Sequence, residues 1–212
     1  MMKPWENISY FGNQKIISQL DTLYEKNKLN STLLFNGSYG LGKATLAFRY
    51  SNYILNQKTE KFTSFSIKNN TITNMIKKNV HPDLIYISNN DQDNSNHEIK
   101  IDQIRTLKTK LISKTLNGTN RIVIIDPLES LNKSSFNSLL KVLEEPPKKT
   151  LFILVCHQIN KIPDTILSRS IKFNFNNIDI DDTKSFLSFR IESIIHPEPN
   201  PISKKLILFF FL

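Results

Sequence analysis

Nine residues, Gly37-Ser38-Tyr39-Gly40-Leu41-Gly42-Lys43-Ala44-Thr45, narrow the folds open to this chain more than any other stretch. They follow Thr32-Leu33-Leu34-Phe35, a short apolar run of buried-strand type, and lead into 43–55, which reads as a helix. A strand, a glycine-rich turn and a helix in that order are the setting of a phosphate-binding loop. Gly37, Gly40 and Gly42 let backbone N–H groups turn inward around an anion, the helix N-terminus adds positive potential, and Lys43 reaches the outer phosphates. One position departs from the full motif: Ala44 follows the lysine, where a Ser or Thr hydroxyl would hold magnesium. Thr45 stands about 100° further round the helix and is a poor substitute. The same residues also suit a tight turn that packs helix on strand without a ligand, so both readings stand at this point.

The rest of the chain alternates in the same manner. An amphipathic segment at 14–28 precedes the loop, and a polar region at 57–79 follows the helix. His81-Pro82-Asp83 opens a strand at Leu84-Ile85-Tyr86-Ile87, because the proline blocks helix there. After a polar loop at 89–96, Ile101, Ile104, Leu107, Leu111 and Ile112 recur at helical spacing, and Asn117-Gly118 is expected to close that helix. Ile122-Val123-Ile124-Ile125 is a third strand, 134–143 a helix that stops at Glu144-Glu145-Pro146-Pro147, and Leu151-Phe152-Ile153-Leu154-Val155 a fully buried strand. Four such runs separated by helices predict an α/β fold with a parallel sheet covered on both faces, whose ligands lie at the carboxyl ends of the strands. The alternation at 171–175 predicts an edge strand, and 181–195 one helix of a small lid. Three prolines in 196–201 and the seven apolar residues of 206–212, which have no visible partner, mark an atypical tail.

Asp126 ends the third strand, where a carboxylate reaches magnesium through water in a hydrolysing loop enzyme. Pro127 stands where the water-polarising Glu belongs, and proline can neither accept a proton nor position water. Asp126 also suits a plain strand end bonded to its loop. With the magnesium hydroxyl and the base both missing, the sequence predicts no hydrolysis by the chain alone.

Composition excludes several other classes. A 39% hydrophobic and 22% charged chain of 212 residues is long enough for one complete core and is neither fibrous nor disordered in type. The net charge of +9 invites a nucleic-acid partner, but only five of the 28 basic residues are Arg, and a solvated Lys-rich surface accounts for the rest. Cys156 is the single cysteine, which excludes an internal disulfide and fits a reducing cytoplasm. Met1-Met2-Lys3-Pro4-Trp5-Glu6 lacks the apolar core of a signal peptide, and no run approaches the ~20 apolar residues of a membrane span. A cytoplasmic protein without a membrane partner is expected.

Asp126 through Asn132, followed by Phe136-Asn137-Ser138-Leu139-Leu140-Lys141-Val142-Leu143-Glu144-Glu145-Pro146-Pro147, resembles the signature of the bacterial DNA polymerase III clamp-loader family of AAA+ ATPases. Leu151–Cys156 and Ile162-Pro163-Asp164-Thr165-Ile166-Leu167-Ser168-Arg169-Ser170 extend the likeness, which covers about 30–175. Ile99-Lys100-Ile101-Asp102-Gln103-Ile104-Arg105 and the defective nucleotide motifs resemble the delta-prime subunit more than the gamma/tau ATPase subunit. The resemblance implies a P-loop NTPase (AAA+) three-layer fold over 1–175, a partial helical lid over 176–195, and a tail at 196–212 of truncated or frameshifted type in place of the family's helical collar. It implies weak ATP or ADP binding at Gly37, Gly40, Gly42, Lys43, Ala44 and Thr45. Its Ser-Arg-Cys motif maps onto Ser168-Arg169-Ser170 and makes Arg169 an arginine finger that acts in a neighbouring subunit's ATP site. The implied partners are the gamma/tau and delta subunits, with the sliding clamp and primed DNA reached through the complex. Cys156 and His157 fall where the family senses nucleotide. Family members commonly carry a cysteine-ligated zinc module after the first helix, but 57–79 contains no cysteine, so no zinc is expected. An active gamma/tau-like ATPase is the alternative.

Overall fold

The computed structural model describes residues 3–6, 10, 12–26, 32–57, 60–64, 67, 69–89, 98–116 and 120–176. Five strands, β1 (Thr32–Asn36), β2 (Leu84–Ser88), β3 (Arg121–Asp126), β4 (Thr150–Cys156) and β5 (Ser170–Asn174), form one parallel sheet in the order β2-β3-β4-β1-β5. The helices between them are α1 (Gln14–Glu25), α2 (Lys43–Leu55), α3 (Thr71–Lys77), α4 (Ile101–Ile112), α5 (Lys133–Glu144) and the short α6 (Asp164–Leu167).

The unbroken apolar runs of the central strands follow from helices on both faces. Successive side chains of a strand point opposite ways, so Leu33 and Phe35 of β1 pack with Ile16, Leu20, Leu46 and Tyr50 of α1 and α2, while Leu34 joins Ile104, Leu107, Phe136 and Leu139 of α4 and α5. The α/β three-layer arrangement expected from the sequence is therefore the observed one. β5, at the sheet edge beside β1, buries only Phe173 of its five residues; its alternating pattern predicts Ile171 on the same covered face, but Ile171 is 38% exposed.

Two expectations need correction. The polar region 57–79 contains a 3-10 turn at Phe62–Ser64 and the helix α3, neither of which periodicity announces. Polar and β-branched residues make α3 a weak helix by propensity, and tertiary contacts build it instead. The Asn70 side chain caps it by accepting the Thr73 N–H at 2.8 Å, and Thr73 and Asn70 bond in turn to Asn52 of α2 and to Asn56, which caps α2. Asp21 of α1 ties down the 3-10 turn by accepting the N–H groups of Phe62 and Thr63. The second correction concerns Ile112, which is 85% exposed: α4 buries Ile104, Leu107 and Leu111 on one stripe and ends at Ile112, because Ser113 is already extended. Asn117-Gly118 lies outside the described residues.

At the amino end of the sheet a buried ion pair joins β2 to β3. Arg121 Nη2 lies 3.5 Å from Asp83 Oδ1, and the guanidinium also donates to the Lys110 carbonyl at 2.7 Å and to Ser113 Oγ at 3.3 Å. The second Asp83 oxygen accepts the Leu116 N–H at 2.8 Å. These contacts pin the α4–β3 connection to the start of β2.

The chain divides into compact units at Met1–Asn177 and Ile178–Leu212. The lid and tail read at 176–195 and 196–212 fall, past residue 176, outside the described residues. Among the described residues no helix is long and apolar enough to cross a membrane.

Candidate nucleotide site and a distant arginine

β1 delivers the glycine loop to the carboxyl edge of the sheet, next to the end of β4. The Gly37 N–H donates to the Cys156 carbonyl at 3.3 Å, stitching the loop to that strand. Gly37 has φ +150°, and a Cβ there would lie 2.5 Å from the Phe175 carbonyl oxygen, so no larger residue fits without moving backbone. Gly42 caps α2 at φ +73°, with the Tyr10 ring packed where a side chain would go. Lys43 is only 3% exposed, and its Nζ donates to the carbonyls of Gly37 at 2.6 Å and Ser38 at 2.5 Å. Burial lowers the Lys43 pKa, while the carboxylates of Asp126 and Glu129 pull it back up. Ala44 and Thr45 follow in the first turn of α2, both partly exposed.

Asp126 closes β3 and lies 3.6 Å, through Oδ1, from His157 Nε2. His157 follows β4; its N–H donates to both oxygens of Glu129, at 3.0 and 3.2 Å, and its Nδ1 is buried with no hydrogen-bond partner among the described residues. The Tyr39 ring from the loop lies flat on the imidazole, with centroids 3.6 Å apart and planes inclined by 14°. Beside them Cys156 is fully buried, which pushes its thiol up to about 12. The structure thus gathers Gly37, Gly40, Gly42, Lys43, Ala44, Thr45 and Asp126 at one edge of the sheet and adds Tyr39, Glu129 and His157. Sequence reasoning missed Tyr39 and Glu129. The signal for Glu129 was a second carboxylate three residues beyond Asp126, carried on the 3-10 turn Leu128–Ser130.

These residues suit a phosphate better than a metal. Three glycines at positive φ open the backbone of the loop, and a buried ammonium stands within it. Ala44 offers no oxygen, and among the described residues no cluster of three or more His, Cys, Asp or Glu is arranged to hold a metal ion.

Arg169 is not part of this gathering. It precedes β5, whose Ser170 pairs with Thr32 at the start of β1, whereas the loop begins after Asn36 at the other end. The five steps from Thr32 to Gly37, at about 3.3 Å each, put about 16 Å between the two levels. There the guanidinium donates to the Thr165 carbonyl at 3.0 Å and to Glu144 at 3.3 Å, with its side chain 40% exposed. Ser170 Oγ donates to the Ile166 carbonyl at 2.7 Å and holds the turn that carries it.

The strand order and the lysine-bearing loop on β1 define a P-loop NTPase domain of the AAA+ type, and solved structures agree. A DNA polymerase III gamma subunit-related protein of Thermotoga maritima superposes with a TM-score of 0.57 at 23% identity, over 82% of this chain and 49% of that one. The RuvB Holliday junction branch migration motor of Thermotoga maritima superposes with a TM-score of 0.55 at 17% identity, over 91% and 55%. Residues 12–179 match the model of the family described as DNA polymerase III, delta subunit, and the chain belongs to that clamp-loader family. Curated relatives include the DNA polymerase III subunit gamma of Buchnera aphidicola subsp. Schizaphis graminum, 30% identical over 190 residues, which are 88% of this chain and 50% of the relative. The subunit delta' of the same organism is 29% identical over 196 residues, 86% and 56% of the two chains. The chain thus spans about half the length of the curated relatives it matches.

Proposed function

We propose that this chain is a DNA polymerase III clamp-loader subunit of the delta-prime kind, which hydrolyses no nucleotide itself and lends Arg169 to the ATP site of a neighbouring gamma/tau subunit. On this reading its partners are gamma/tau and delta, the complex carries the sliding clamp to primed DNA, and the setting is cytoplasmic. The observation that carries it is the separation of Arg169 from its own loop: at about 16 Å, an arginine held at the amino end of β5 serves no phosphate bound after β1. A neighbour's phosphate is a candidate partner for the exposed side of this guanidinium, which within the chain pairs with Glu144 and the Thr165 carbonyl. Its fork neutralises charge that builds on the transferring phosphoryl group.

The chain's own loop supports the other half of the proposal. Lys43 and the glycine backbone favour phosphate, and ATP or ADP binds weakly there without a strong magnesium site. Ala44 supplies no metal ligand, Pro127 no base, and the Glu129 carboxylate is engaged by the His157 N–H. The second reading, an active gamma/tau-like ATPase using Thr45, is favoured by the 30% identity to a relative of that name. Magnesium-dependent ATP turnover by the isolated chain would decide for it.

The test reconstitutes the chain with gamma-type and delta subunits. Arg169→Ala is expected to leave folding almost unchanged, because a half-exposed pair with Glu144 contributes at most ~1 kcal/mol. At the one site it serves, ATP hydrolysis should fall by about 10³–10⁵-fold, with only partial rescue by Arg169→Lys. Equal stimulation by wild type and the alanine variant in an assembled complex would refute the proposal.

A further inference from the structure

The contacts around Tyr39 bear on how many phosphates the loop can accept. This inference rests on the loop being a phosphate site. Three strand ends meet there: β1 runs into the loop, β4 ends beside it at Cys156, and β3 ends next to β4 at Asp126. In a phosphate loop the lysine reaches toward the outermost phosphates. Here that lysine shares its surroundings with Asp126 and Glu129, so a third phosphate would extend toward the ends of β3 and β4.

Tyr39 bridges this space. Its ring touches the His157 imidazole face to face at 3.6 Å, leaving no room for any group between them, and so joins the loop to the end of β4. The imidazole cannot yield easily. Both Glu129 oxygens hold the backbone N–H of His157 and so fix where the ring is attached, while Asp126 faces Nε2 and the side chain is nine-tenths buried. Tyr39 is the movable partner, being 69% exposed and followed by Gly40, a glycine at φ +83° with open space where a side chain would go. Two further features bear on a ligand. Asp126 and Glu129 place two carboxylates where a third phosphate would bring more negative charge. The buried Nδ1 of His157 has no partner among the described residues, and it could bond a phosphate oxygen only as an N–H donor, with the ring protonated.

We propose that Tyr39 and His157 make this a diphosphate-selective site, admitting a nucleoside diphosphate and resisting the γ-phosphate of a triphosphate. Tyr39 is the specificity-determining residue and His157 its seat. A stacked aromatic pair of this kind corresponds to about a two- to tenfold effect on an equilibrium.

Calorimetric titration of the full chain with ADP and with ATP tests this. Wild type should bind ADP more tightly. Tyr39→Ala should tighten ATP by about two- to tenfold while moving ADP by less than about twofold, and Tyr39→Phe, which keeps the stack, should behave as wild type. Circular dichroism confirms that the exposed substitution leaves the fold intact. Equal affinity of wild type for the two nucleotides, or an equal loss of both in Tyr39→Ala, overturns the proposal while leaving the loop a phosphate site. Absence of any nucleotide binding, or ADP affinity unaltered by Lys43→Ala, removes the phosphate reading itself and the selectivity with it.

Discussion

Removing the Asp83 carboxylate strands a charge. The Asp83 and Arg121 side chains are almost wholly buried, so Asp83→Ala leaves the guanidinium without a counter-charge in a place water does not reach. Losing one partner of a buried pair costs about 3–5 kcal/mol, far more than the pair's net worth, because the survivor keeps its desolvation penalty. Arg121 is poorly placed to absorb the loss: its Nε has no hydrogen-bond partner among the described residues, and only the Lys110 carbonyl and Ser113 Oγ remain to its other nitrogens. The Leu116 N–H loses its acceptor as well. Urea unfolding followed by circular dichroism should show the midpoint falling at nearly constant slope. The melting temperature should drop by about 6–20 °C, at about 2–4 °C per kcal/mol for a chain of this size. Asp83→Asn, whose amide oxygen can still take the Leu116 N–H, should cost less than the alanine. Replacing both partners with apolar residues of similar volume should recover most of the loss. If Asp83→Ala costs less than about 1 kcal/mol, the pair is not buried in solution and the reasoning fails.

Cys156 should resist Ellman's reagent at pH 8 in the native protein and react fully in urea, since burial both shields the thiol and raises its pKa to about 12. Fast native labelling would show that the end of β4 opens. Burial lowers the pKa of His81 against the opposing pull of Asp83, and its Nδ1 accepts the Asp83 N–H at 3.1 Å. The unfolded chain therefore binds this proton more readily, so stability is full above about pH 6.5 and declines as pH falls below it. His81→Asn should flatten that part of the stability profile in urea melts across pH 5–8, and an unchanged slope would reject the assignment. Gly37→Ala should destabilise the fold measurably in the same assay, because its Cβ would collide with the Phe175 carbonyl.

The elements legible in the sequence were those whose burial is two-sided or strictly periodic. Strands β1 to β4 announce themselves because helices cover both faces, α5 because one apolar stripe of it meets the sheet, and α2, which is buried on nearly every side, because the glycine loop marks its start. Helix α3 was hidden, since it depends on partners distant in sequence: Asn52 and Asn56 precede its cap by a turn of α2 and a loop. The candidate site divides in the same way. The glycines and Lys43 are visible because a local backbone requirement fixes their spacing. Glu129 and the stacking of Tyr39 on His157 depend on which strand ends become neighbours, and strand order is not written in any single segment. Even Arg169 stood out only by likeness to a family motif, because an arginine in a turn carries no local signature of the end of the sheet it occupies.

The opposite placement of Arg169 and the phosphate loop also bears on symmetry. On the proposed reading, the surface that gives an arginine and the surface that holds a phosphate are different, so contacts between such chains join unlike faces. A twofold pairing uses the same face on both members and cannot satisfy this arrangement; head-to-tail contacts repeat in one sense and produce a ring or an open arc. A chain whose arginine serves a neighbour but whose own loop lacks the magnesium hydroxyl is useful on one side only. Set at the end of an arc, it needs no hydrolysis at its own loop and still completes the next site. The row thereby acquires a beginning and a direction.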